Sequence, residues 1–151
     1  MAEFTYNPIQ TVSYGQNVLL NDSIPCNKGY VLHRNGSGLV TLTGKVNNPY
    51  CCFARYQVTF NGNVAIQEGG TAGPISLAIA IDGEPIQTSK AIVTPTAVDA
   101  YFNVTSTAFI TVFRGCCNTI SIENTSDPAT PTAAGSQINV QNANLVITRV
   151  S

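Results

Sequence analysis

The feature that most constrains this chain is an alternation of period two. Ala54, Tyr56, Val58 and Phe60 alternate with Arg55, Gln57, Thr59 and Asn61. Successive side chains of a strand point to opposite faces, so this run buries one face and wets the other. No stretch sustains apolar residues at helical spacing. Comparable runs recur between turn signals, at Asn35-Gly36, Asn61-Gly62, Asp82-Gly83 and Arg114-Gly115, where glycine supplies the backbone angles a tight turn needs. The spacing predicts strands near 9–20, 29–34, 38–46, 52–61, 74–82, 84–94, 99–114, 117–124 and 138–150. β-branched residues fill them, as in Val40-Thr41-Leu42-Thr43 and Leu145-Val146-Ile147-Thr148. Short strands with no helix between them predict an all-β fold, an antiparallel two-sheet sandwich or jelly roll. The 151 residues suit one domain. The expected division is an extended N-terminal arm over 1–8, broken by Pro8, and a sandwich over 9–151. Residues 125–137 contain Pro128 and Pro131 and read as an exposed loop.

Two strands are apolar on both faces. In 73–83, Ile75, Leu77, Ile79 and Ile81 form a large apolar face, and Ser76, Ala78 and Ala80 form a small uncharged one. A strand with one wet face carries polar residues there, so a second layer from the same chain or from another subunit is expected on the small face. In 101–113, Phe109 and Phe113 lie opposite Ala108, Ile110 and Val112. Charged residues are only 10% of the chain, against roughly 25% in soluble domains. These patterns predict a closed homo-oligomer with Ser76, Ala78, Ala80, Tyr101, Phe109 and Phe113 at the subunit interface.

The composition argues against most chemistry. His33 is the single histidine, and a hydrolytic triad would have to use it. Arg34 beside it opposes the imidazolium that a general base must become. No carboxylate cluster suggests calcium and no phosphate loop is present. No catalytic residue, metal or cofactor is expected, and the chain is read as not an enzyme. Seven basic and eight acidic residues offer no electrostatic footprint for nucleic acid, and no apolar run is long enough for membrane insertion. Tyr14, Tyr30 and Tyr50 are candidates for a glycan-binding tip, although tryptophan is absent. The five cysteines are Cys26 and the vicinal pairs Cys51-Cys52 and Cys116-Cys117. Adjacent cysteines fit disulfide geometry poorly. These five therefore read as small apolar residues or as cross-links formed outside a reducing cytosol. Residues 1–8 show no basic segment or apolar core of a Sec-type signal, so synthesis in a cytoplasm without such a signal is expected.

The order of several motifs resembles the C1q/TNF-like jelly-roll domains of bacterial and phage proteins, including the C-terminal domains of collagen-like spore-surface proteins. The run 52–60, Cys-Phe-Ala-Arg-Tyr-Gln-Val-Thr-Phe, looks like the family's aromatic-x-Val-x-Phe strand. The run 76–85, ending Asp82-Gly83-Glu84-Pro85, looks like its apolar strand and Asp/Asn-Gly-x-Pro hairpin. The run 109–124 looks like its hairpin with a glycine turn, and 143–149, Ala-Asn-Leu-Val-Ile-Thr-Arg, like its terminal strand. The segments 6–12 and 33–38 are similar to short proteins of gut Firmicutes and their phages. The resemblance implies a homotrimer that decorates a phage capsid as a head-fibre-like protein on the virion surface. Its partners would then be itself and a major capsid protein or another particle surface, with Phe4, Tyr6 and Pro8 of the arm as the anchor. The alternatives are a tip that binds a receptor or cell-surface glycan, and a fibre subunit on a bacterial cell or spore surface.

Overall fold

The computed structural model describes residues 2–24, 30–33, 36–46, 48–68, 73–126 and 137–150. Its strands are β1 (Ala2–Tyr6), β2 (Gln10–Val12), β3 (Asp22–Ile24), β4 (Val31–His33), β5 (Val40–Thr43), β6 (Phe53–Ile66), β7 (Ile75–Ile81), β8 (Glu84–Pro85), β9 (Ala91–Val93), β10 (Phe102–Phe113), β11 (Cys117–Asn124) and β12 (Ile138–Arg149). One sheet runs β10-β6-β12-β1-β3, with β2 also on β12. The other runs β4-β5-β11-β7-β8, with β9 also on β7. All pairings are antiparallel. The expected antiparallel two-sheet sandwich is therefore the fold.

The alternation seen in sequence is the alternation of burial. Tyr56, Val58 and Phe60 of β6 point inward with Leu145 and Ile147 of β12 and Ile110 and Val112 of β10. They meet Leu77, Ile79, Ile120, Ile122, Val40 and Leu42 from the opposite sheet in one apolar cluster. Tyr56 brings a polar atom into this core, and its hydroxyl donates to the carbonyl of Thr43 at 2.6 Å.

The expected N-terminal arm is corrected by the structure. Residues Ala2–Tyr6 form β1, paired with β12 on one edge and β3 on the other. Phe4 is 2% exposed, in the core, with its ring 4.6 Å from that of His33. Tyr6 packs against the same core, and of the three expected anchors only Pro8 is exposed. Alternating burial in Ala2, Phe4 and Tyr6 is the strand signature, and three residues were too few to show it against a following proline.

Other boundaries shift for identifiable reasons. Asn61-Gly62 is no turn, and β6 runs through it because β10 and β12 continue its ladder on both edges. Space is tight at Gly62. A Cβ would lie 3.0 Å from Cζ of Phe60, and the neighbouring β12 is bulged between Gln141 and Asn144. The expected strand 84–94 is broken by a 3-10 turn at Gln87–Ser89. The Ser89 hydroxyl replaces a ladder partner, accepting from the Ile79 amide at 3.0 Å and donating to the Ile86 carbonyl at 2.7 Å. Asp82 and Gly83 do form the expected hairpin turn, both with positive φ (51° and 88°). Arg114-Gly115 also turns the chain, but β10 and β11 lie in different sheets, so this link crosses the sandwich rather than closing a ladder. The expected 125–137 loop falls mostly outside the described residues.

Phe4→Ala is expected to cost about 3–5 kcal/mol of stability, and removal of residues 1–6 to abolish cooperative unfolding. Thermal melts followed by circular dichroism check both, since a detached arm would leave the midpoint unchanged.

Candidate functional site: an aromatic sheet face and a thiol-bearing end

The outer face of the β10-β6-β12 sheet is where the alternation leaves its second set of side chains. Most are neutral and polar, and they bond to one another. Asn103 donates to Asn61 at 2.7 Å, Thr105 to the same oxygen at 3.1 Å, and Thr59 and Thr107 share a bond of 3.2 Å. At the corner of this face the pattern changes. Phe53 and Phe113 stand directly opposite each other in the ladder. With Phe109 they are exposed, Phe109 at 59% and Phe113 at 64%. The Arg55 guanidinium lies 5.7 Å from the Phe109 ring centroid, a cation–π arrangement open to solvent. Phe102, which opens β10, an edge strand, and Tyr101 just before it are also exposed, at the far end of the strand from Phe113. Tyr101, Phe109 and Phe113 thus lie on the surface.

Ser76, Ala78 and Ala80 do not. All three are buried within a single chain, which corrects their expected place at a subunit interface. The second layer comes from the chain itself. The Ser76 hydroxyl bonds that of Thr125 at 2.6 Å, and its amide donates to Ser126 Oγ at 2.9 Å. Small side chains in the middle of a sheet are covered by such neighbours without help from a second subunit.

The crossing at Arg114-Gly115 gathers the cysteines. The Arg114 amide donates to the Cys52 carbonyl and the Gly44 amide to the Cys116 carbonyl, both at 2.8 Å. Cys51, Cys52, Cys116 and Cys117 therefore share one end of the sandwich, all exposed and free. Cys26 lies outside the described residues. Gly44 permits this close approach, because a Cβ there would collide with the Phe113 carbonyl. The result is a cleft of about 430 Å³ lined by Thr43, Gly44, Lys45, Val46, Arg114, Gly115 and Cys116. Lys45 carries no motif in sequence, and Arg114 was legible only as part of a turn. Phe53 was legible in principle, since it extends the polar register of Arg55 and Gln57 by one step.

The remaining candidates do not assemble into a site. His33 donates through Nε2 to the Ser37 carbonyl at 2.9 Å, and its Nδ1 is buried without a partner. The cleft beside it is lined by Leu32, His33, Ser37, Leu39 and Thr41, with no carboxylate. Tyr30 is packed under the Arg149 guanidinium, 4.2 Å from its ring centroid. Tyr50 is 91% exposed in the approach to β6. Tyr14 precedes Gly15, whose amide bonds Asn124 at the other end of β11. The three tyrosines do not converge on a sugar-binding platform. Among the described residues no group of histidine, cysteine and carboxylate side chains is placed to hold a metal, and no helix is long and apolar enough to cross a membrane.

No protein-family model matches the chain, and no curated protein matches it. Solved structures do. Eiger TNF from S. frugiperda superposes with a TM-score of 0.65 at 10% identity, over 100% of this chain and 92% of that one. The globular domain of zebrafish complement 1qA gives 0.57 at 14%, covering 96% and 94%. Murine APRIL gives 0.52 at 12%, covering 93% and 98%. The chain has the C1q/TNF-like jelly-roll fold. At these identities the likeness is one of fold, and the surface chemistry of this jelly roll is its own.

Two carboxylates on its second sheet make opposite electrostatic contributions. Asp82 accepts the Thr119 amide at 2.8 Å and the Asn118 side chain at 2.9 Å, and these bonds, the first foremost, lower its pKa. Glu123 is raised, mainly by burial and then by the charge of Glu84. Asp82 therefore stabilises the fold above the carboxylate range, and that contribution is lost as pH falls through its lowered value. The Glu123 contribution is present in acid and is lost as pH rises through its raised value. Melting temperatures between about pH 3 and pH 7 check this. Asp82→Asn is expected to flatten the acid limb, and Glu123→Gln to raise the midpoint at neutral pH.

Proposed function

We propose that this protein is a non-enzymatic display module that works as a homotrimer on the surface of a virion, as a capsid decoration protein held by the major capsid protein. The observation that carries the assembly is the exposed cluster Phe53, Phe109 and Phe113 on the outer face of the β10-β6 ladder. Large rings are costly to leave in water, and exposed apolar side chains gathered at one corner of a polar sheet face mark an interaction surface. Here the polar part of the face is the Asn61–Asn103–Thr105 network and Arg55, the polar surround typical of a protein interface. A second copy is the occupant that needs no further component, and closed rotational symmetry is the usual outcome when copies of one chain cover one another. The virion placement is supported by the ordered motifs of 52–60, 76–85, 109–124 and 143–149. Because Phe4 belongs to the core, attachment falls to the exposed surface rather than to an N-terminal arm.

Sedimentation at micromolar concentration is expected to give three chain masses. Phe109→Glu and Phe113→Glu are each expected to weaken assembly by about 30-fold or more, the effect of losing an interface anchor, with the melting midpoint of the isolated chain retained. A wild-type monomer at high concentration would overturn the assembly. Gold-labelled antibody to the chain is expected to decorate phage heads from the producing culture, and label confined to the cell surface would overturn the virion placement.

A further inference from the structure

We infer that Cys116 is a thiol–disulfide exchange site for small disulfides that carry carboxylates. Three chain segments converge on it. The end of β5 brings Lys45, the end of β10 brings Arg114, and the start of β11 brings the thiol. All three line the same cleft of about 430 Å³. Cys116 is exposed and free, and it is the one cysteine of the described four in that lining.

The cleft lining carries two cationic side chains and no acidic one, in a chain whose net charge is only −1. Lys45 and Arg114 line the cleft. Arg55 is stacked over Phe109 on the sheet face and Arg149 over Tyr30, so neither is counted with the cleft. Lys90 is the remaining lysine or arginine among the described residues. The nearest acid in register is Asp82, on the other flank of β11, where its two oxygens are taken by Thr119 and Asn118. Part of the cleft is fixed by backbone bonds. Gly115 donates to the Gly44 carbonyl at 3.4 Å and Gly44 to that of Cys116 at 2.8 Å. Arg114 is further tied by Nη1 to the Pro49 carbonyl at 3.1 Å. A carboxylate-bearing ligand is thus drawn to a cleft whose thiol-bearing segment is held by backbone bonds.

The step balances without another reactant. The thiol proton goes to solvent, and the Cys116 thiolate sulfur attacks one sulfur of the incoming disulfide. The incoming S–S bond breaks, and a new S–S bond joins Cys116 to one half. The other half leaves as a thiolate. Cys116 is oxidised to the mixed disulfide, and the departing half is reduced.

The test treats the reduced full-length protein with oxidised glutathione, with cationic cystamine, or with neutral 2-hydroxyethyl disulfide. Peptide mass spectrometry then reads the adduct at each cysteine over time. With oxidised glutathione, Cys116 is expected to react about fivefold faster than Cys51, and the preference to shrink at high salt. Cystamine is expected to show no such preference. Lys45→Glu changes an exposed side chain and is expected to remove the preference while the melting midpoint stays in place. Equal labelling of Cys51 and Cys116 by oxidised glutathione would overturn the inference. So would a Cys116 preference shared by all three reagents, or one that survives Lys45→Glu.

Discussion

The rest of the molecule depends on one strand that is hydrogen-bonded along both edges. β6 pairs with β10 from Phe53 to Val64 and with β12 from Tyr56 to Ile66. A one-residue slip of its register would turn every inward side chain outward. With Tyr56, Val58 and Phe60 committed to the core, the slip is costly and the register is held. The outward set then follows without further choice, namely Phe53, Arg55, Gln57, Thr59 and Asn61. Because β10 is locked to β6, Phe113 must stand opposite Phe53 and Phe109 opposite Gln57. The aromatic corner is thus a by-product of core packing, and the proposed assembly uses a surface that folding has already organised.

The same strand explains why chemistry gathers at one end. Tyr56 ties its hydroxyl to Thr43, which holds the end of β5 against the start of β6. Gly44 lets that end approach the Phe113 carbonyl more closely than any larger residue could. Arg114-Gly115 then carries the chain across to the opposite sheet, leaving Cys116 beside Gly44. Thiols, cations and aromatic rings become neighbours here, yet they face different ways. The rings lie on the flat sheet face, and Cys116 with Lys45 and Arg114 lines a cleft in the end of the sandwich.

Much of the fold was legible because a strand announces itself through alternation. The runs at 54–61 and 145–148, and the Asp82-Gly83 turn, appear in the structure as the spacing predicts. Errors arose where a local signal was overruled. Asn61-Gly62 reads as a turn from two residues alone, but two flanking ladders carry β6 straight through it. Ala2–Tyr6 reads as an arm because it is short and leads into Pro8, but a place between β12 and β3 makes it a strand. Of the expected interface, Tyr101, Phe109 and Phe113 are at the surface, while Ser76, Ala78 and Ala80 are covered by the chain itself.

By itself the sequence determined that the chain is built of strands, roughly where the long ones lie, which face of β6 and β12 is apolar, and that little of the chain suits acid–base or metal chemistry. Those properties are local, set by side-chain period, turn residues and composition. Tertiary structure alone decided which apolar face is covered from within and which is left open. It alone also brought Lys45, Arg114 and Cys116 into one cleft. Such facts depend on which strands become neighbours, and neighbours far apart in the chain are chosen by the packing of the whole core, a quantity no local window of residues contains.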